Sequence, residues 1–277
     1  MADRTYSFLY DDVSDLGKNS PINFQWIETI ADMDWKQAIL MAQTVQKNNE
    51  EGKQTMFILP VGPTGYASRF AWIVNRNRIS LKDCIFINMD EYMWDEHTLI
   101  EPTNPISFKY FMNKDLYSKV DDDLNVLPEN RVFPDPDNLG EIWERIQKKE
   151  GGVDICFGGI GIDGHIAFNE PHNDDLTPEQ FAELRTRVLP IHYSTEVINS
   201  IEYNGNYEAM PDYCITIGMK EILSSQRLVF FTSARHWQNT LRHVIDGPVS
   251  SHWPGSLMQT HKDCTIYCLK PEVTSFF

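Results

Sequence analysis

The run GGIGIDGHIAFNEP at 158–171 holds the densest chemistry of this chain. Gly158, Gly159, Gly161 and Gly164 surround Asp163 and His165, and Glu170 follows. An aspartate two residues before a histidine, with a glutamate close by, is the raw material of a positioned proton carrier. The carboxylates fix the imidazole tautomer and keep its pKa near the working pH. The glycines let the backbone turn sharply and approach a ligand closely. A Gly-rich turn alone is usually only a turn, and a lone loop histidine usually faces water. The joint pattern singles this segment out. Asp90-Glu91-Tyr92 is a second candidate. A carboxylate at a strand end ordinarily caps a turn, but one held away from water has a raised pKa and can act as a general base. The loop at 60–65, Pro-Val-Gly-Pro-Thr-Gly, is a third. It follows an expected strand and precedes a helical pattern.

The elements that must position these groups alternate along the chain. Strands are expected at 55–59, 84–88, 153–157, 214–217, 228–231 and 265–269. Helices are expected at about 35–49, where Asp32 or Asp34 can serve as cap, and at 67–75, 107–116, 138–149 and 235–245. Residues 93–106 read as a polar loop. Strands alternating with helices imply an α/β fold, Rossmann-like and doubly wound, with a mostly parallel sheet and helices on both faces. Ligands of such folds bind outside the carboxyl ends of the strands. The candidate residues all follow strands, so loops far apart in the chain are expected to line one cleft. Residues 1–31 lack clear periodicity and read as an N-terminal arm; 32–277 read as a single α/β domain.

The 277 residues carry a formal net charge of −16 and are 42% hydrophobic. That charge argues against nucleic acid and anionic membrane as partners. No apolar run approaches the ~20 residues of a membrane span. The first residues lack a signal pattern, so a cytoplasmic protein is expected. Cys84, Cys156, Cys214, Cys264 and Cys268 form no CxxC pair and read as small buried hydrophobes.

These motifs resemble the glucosamine-6-phosphate deaminase (isomerase) family, within the wider group that includes 6-phosphogluconolactonases. The resemblance runs from about residue 35 to 270. It is strongest at Asn88-Met89-Asp90-Glu91-Tyr92 and at 158–171, and weaker at 59–65, 216–219 and His252-Trp253. It implies conversion of glucosamine 6-phosphate and water to fructose 6-phosphate and ammonia, with no metal or organic cofactor. It implies that Asp163, His165 and Glu170 open the sugar ring and that Asp90 takes the proton from C2. It places phosphate on Gly62, Thr64, Gly65 and Arg235, and it implies a homo-oligomer.

The chain departs from the family pattern at the phosphate end. The usual Thr-Gly-Gly-Thr is Val61-Gly62-Pro63-Thr64, and Pro63 removes one donor. The family's lysine after a later strand is Arg235. The lid arginine aligns with Ile201, and Arg185 or Arg187 are the substitutes or plain solvated charges. Asn104 stands where many relatives have histidine. Three alternatives follow: an isomerase of another sugar or sugar phosphate, a 6-phosphogluconolactonase-like hydrolase, and a non-catalytic sugar-phosphate sensor.

Overall fold

The computed structural model describes residues 4–62, 65–171, 175–233 and 238–270. Thr64 and Arg235, two of the expected phosphate residues, lie outside them. The chain runs β1 (Asn23–Ile27), α1 (Ile30–Glu50), β2 (Thr55–Leu59), α2 (Tyr66–Asn77), β3 (Cys84–Asn88), β4 (Asp90–Met93) and α3 (Phe108–Met112). It continues through β5 (Arg131–Val132), α4 (Glu141–Lys148), β6 (Ile155–Gly158), α5 (Pro178–Ala182), β7 (Arg187–Pro190) and α6 (Tyr193–Ser200). It ends with β8 (Tyr213–Thr216), α7 (Met219–Leu223), β9 (Arg227–Thr232), α8 (Gln238–Ile245) and β10 (Cys264–Leu269).

Seven strands form one parallel sheet in the order β1-β10-β9-β6-β2-β3-β5. Strand β2 shows why the chain folds this way. All five of its residues are buried, as expected for a central parallel strand covered on both faces. The pleat sends Met56 and Ile58 into one apolar layer and Phe57 and Leu59 into the other. Helix α1 closes the second layer with Ala38, Met41, Ala42 and Val45. Its cap is Thr29, whose Oγ1 accepts the Asp32 N–H, and neither Asp32 nor Asp34 serves as cap.

Two further features differ from the sequence expectation. The segment 23–27, assigned to the arm, is the edge strand β1, paired in parallel with β10. The strand near 214–217 leaves the main sheet and forms the centre of a separate antiparallel sheet, β4-β8-β7. Met89 is the junction. Its N–H still donates to the Leu59 carbonyl (3.0 Å), while its own carbonyl accepts the Ile217 N–H (2.9 Å). The chain therefore changes sheet one residue before Asp90. Among the described residues no helix is long and apolar enough to cross a membrane. All five cysteines are buried thiols.

Candidate active site

The carboxyl ends of β2, β3, β6 and β9, adjacent in the middle of the sheet, surround a cavity of about 770 Å³. Val61 and Gly62 line it after β2, Asp90 after β3, Gly159 to Ile162 and His165 after β6, and Ser233 after β9. The four loops expected to meet at one cleft do meet.

The turn after β6 is built around the imidazole. Gly164 has φ +81° and its carbonyl accepts the Gly255 N–H at 2.7 Å. The Gly161 N–H donates to the His165 carbonyl (3.0 Å), closing the loop. A Cβ on Gly161 would fall 2.1 Å from His165 Nε2, so the ring lies in space that only glycine leaves open. Asp163 Oδ1 accepts from both the His165 backbone N–H (3.1 Å) and Nδ1 (2.7 Å). That bond puts the Nδ1 proton toward the carboxylate and leaves Nε2 for a ligand. Burial pulls the His165 pKa down. The Asp163 bond and charge, with Glu170 and Asp90 behind them, outweigh it and hold the pKa above its ordinary value.

Glu170 is buried. It accepts from the His192 N–H (2.9 Å) and from the Thr195 hydroxyl, at the start of α6. The acid thereby ties the imidazole turn to a helix that supplies Thr195, Ile198 and Asn199 to the cavity wall. Asn169 locks the same turn. Its Nδ2 donates to the carbonyls of Ile166 and Ile217, each at 2.9 Å, and its Oδ1 accepts from Arg187 (2.7 Å). Ala167 takes φ +55° there, a left-handed conformation that costs a non-glycine residue roughly 1 kcal/mol. The donor atoms of Asp163, His165 and Glu170 all lie within 4.8 Å of one another, a spacing that also suits a divalent ion.

Asp90 opens β4. Burial first, then the charge of Glu91, push its pKa up to about 8, and His165 opposes them. Glu91 has a structural task as well. Its carboxylate accepts from Ser107 Oγ (2.8 Å) and from the N–H groups of Phe108 (2.9 Å), Lys109 (2.8 Å) and Tyr92 (2.9 Å). It thus anchors α3, which follows the polar loop at 93–106. Asn199 donates to the Tyr92 hydroxyl (2.9 Å), so α6 touches this side of the cavity too.

Gly62 and Gly65 line the same cavity. The Gly65 N–H, however, donates to Asp34 Oδ1 at 2.6 Å, so that donor at the start of α2 is already committed. Arg185 pairs with Glu221 (3.0 Å) and lies over Trp143, away from the cavity lining. Sequence reasoning missed Thr195, Asn199 and Arg69. Their signals are weak: Thr195 is 25 residues beyond Glu170, and Arg69 reads as an ordinary helix-surface charge.

No family model matches the chain. Glucosamine-6-phosphate deaminase of Borreliella afzelii (strain PKo) is 31% identical over 235 residues, covering 82% of this chain and 81% of that protein. The enzyme of that name from Borreliella burgdorferi (strain ZS7) is 33% identical over 233 residues, with 80% and 81% covered. Among solved structures, a monomeric glucosamine-6-phosphate deaminase superposes with a TM-score of 0.74 at 23% identity, over 89% of this chain and 97% of that one. The 6-phosphogluconolactonase of Thermotoga maritima gives 0.63 at 15% identity, over 90% and 99%. Such structural likenesses show the shared α/β fold. With sequence identity above 30% across four-fifths of both chains, the protein belongs to the glucosamine-6-phosphate deaminase family.

Proposed function

We propose that the protein converts glucosamine 6-phosphate and water into fructose 6-phosphate and ammonia. The observation that carries this reading is that Asp90 and His165 line one cavity, with Asp163 bonded to the far nitrogen of the imidazole. Ring opening needs a group that moves a proton between the anomeric hydroxyl and the ring oxygen. His165 Nε2 serves, with Asp163 stabilising the imidazolium and Glu170 adding negative charge behind it. Isomerisation then needs a base at C2. Asp90 takes that proton and returns it to C1, leaving an imine at C2. Water adds to the imine carbon, the C–N bond breaks, and ammonia departs. A carboxylate shielded from water is suited to that base role, because its raised pKa narrows the gap to a carbon acid.

Asp163 and Glu170 serve here as orienting acids, with no metal taking part. Their hydrogen bonds to Nδ1, His192 and Thr195 support that role. Dialysis against a chelator is expected to leave turnover unchanged. A loss restored by a divalent ion would reassign the cluster as a metal site.

The decisive assay incubates the protein with glucosamine 6-phosphate and measures ammonia and fructose 6-phosphate together. Hydrolysis of 6-phosphogluconolactone without ammonia release from the amino sugar would replace this reading with the lactonase one. That hydrolysis has no need of a C2 base. A cytoplasmic homo-oligomer belongs to the same proposal, and sedimentation velocity tests its assembly.

A further inference from the structure

We propose that Arg69 is the specificity-determining cation that recognises the phosphate of the substrate. This inference rests on the reading above. Arg69 sits in the first turns of α2 and lines the cavity together with Gly62, Gly65 and Ser68. Its guanidinium is held along one edge. Nη1 donates to the Gly65 carbonyl (2.9 Å) and pairs with Asp34 Oδ2 (3.0 Å). The group also lies 5.8 Å from the centre of the Trp35 ring. Asp34 is buried and is fixed in turn by the Gly65 N–H. Nε and Nη2 have no protein partner among the described residues.

A guanidinium clamped on one side, with N–H groups uncommitted on the other, is preorganised for a phosphate. Two parallel charge-assisted bonds form there with little loss of side-chain freedom. The surroundings support the assignment. Asp115, an acid in the same lining, is paired with Lys119 (3.1 Å), and Lys119 also donates to Ser68 Oγ (2.7 Å). The acidic neighbour is therefore matched, and Arg69 keeps open donors where the loop after β2 enters the helix. Asp34 acts through Arg69 as a positioning residue. Its carboxylate sets the plane of the guanidinium and joins it to the Gly65 turn.

The test compares the full-length protein with Arg69→Gln and Arg69→Lys. For Arg69→Gln, KM for glucosamine 6-phosphate is expected to rise about thirtyfold with kcat within about threefold. Inorganic phosphate, measured by titration calorimetry and as a competitive inhibitor, is expected to lose affinity by a similar factor. Arg69→Lys, which keeps the charge and loses the fork, is expected to recover part of both. An unchanged KM with unchanged phosphate affinity overturns the proposal, and so does a fall in kcat at constant KM. If the wild-type protein turns over no glucosamine 6-phosphate, the deaminase reading fails and calorimetry still decides for Arg69. Phosphate binding lost in Arg69→Gln and partly restored in Arg69→Lys sustains its role. Equal binding in wild type and Arg69→Gln, or no binding by wild type, removes it.

Discussion

In the proposed mechanism, Asp90 is the residue on which chemistry and stability pull in opposite directions. Its pKa of about 8 reflects burial first and Glu91 second. In the empty enzyme near neutral pH it is mainly protonated, yet a base must be ionised. The expected outcome is a kcat/KM that climbs with pH through the region of about 8, read from initial rates across buffers. A flat profile would take Asp90 out of the base role. The stability consequence has the opposite direction. The unfolded aspartate ionises near its ordinary value of 3.8 while the folded one holds its proton. The unfolded state therefore gains as pH rises from there, and the penalty levels off only above the folded pKa. Asp90→Asn removes that penalty. It is expected to lower kcat about a thousandfold and to stabilise the empty protein by about 2 kcal/mol at pH 8, measured by urea unfolding. Destabilisation at that pH would contradict the burial argument.

Among the elements, the start of α3 shows how the surroundings of Asp90 are assembled from ordinary caps. Glu91 satisfies N–H groups at that start and also raises the pKa of Asp90. Glu91→Gln keeps the shape and removes the charge. One amide NH₂ then faces donors instead of accepting from them. Stability is expected to fall by about 2 kcal/mol, and the acidic limb of kcat/KM to move to lower pH. An unmoved limb would show that Glu91 has no electrostatic effect on Asp90. The imidazole turn was legible because glycines, acids and a strand end coincide within 158–170. The second sheet was not, because β3 and β4 are separated by Met89 alone, with no turn residue to mark the change. Strand β1 was hidden because Asn23 to Trp26 are exposed or half-buried at a sheet edge, which blurs the alternation. The Asp34–Gly65–Arg69 unit joins α1 to α2, a partnership invisible to a reading that treats Asp34 as a cap.

At the scale of the whole molecule, contacts run from the N-terminal segment to the imidazole. Phe8 packs edge-on against His243 (5.1 Å between ring centres), and its carbonyl accepts from the buried Arg242 (3.3 Å). His243 stacks on Trp253 at 4.0 Å, and Trp253 covers Gly164. Thr240, on the same helix α8, donates its hydroxyl to the Ile162 carbonyl beside Asp163. The arm is thus packed into the support of the site. Phe8→Ala is expected to cost about 2–3 kcal/mol in thermal or urea unfolding and to lower kcat severalfold through a looser 159–165 turn. Loss of stability with full turnover would confine the arm to a packing role. Strand β1 carries a different consequence. Asn23 and its neighbour Thr265 stand 242 positions apart. During synthesis on a ribosome, β1 emerges 242 residues ahead of β10 and must wait for it before it finds its hydrogen-bonding edge. Until then its backbone donors and acceptors are open to other nascent chains, and this margin of the sheet zips up late.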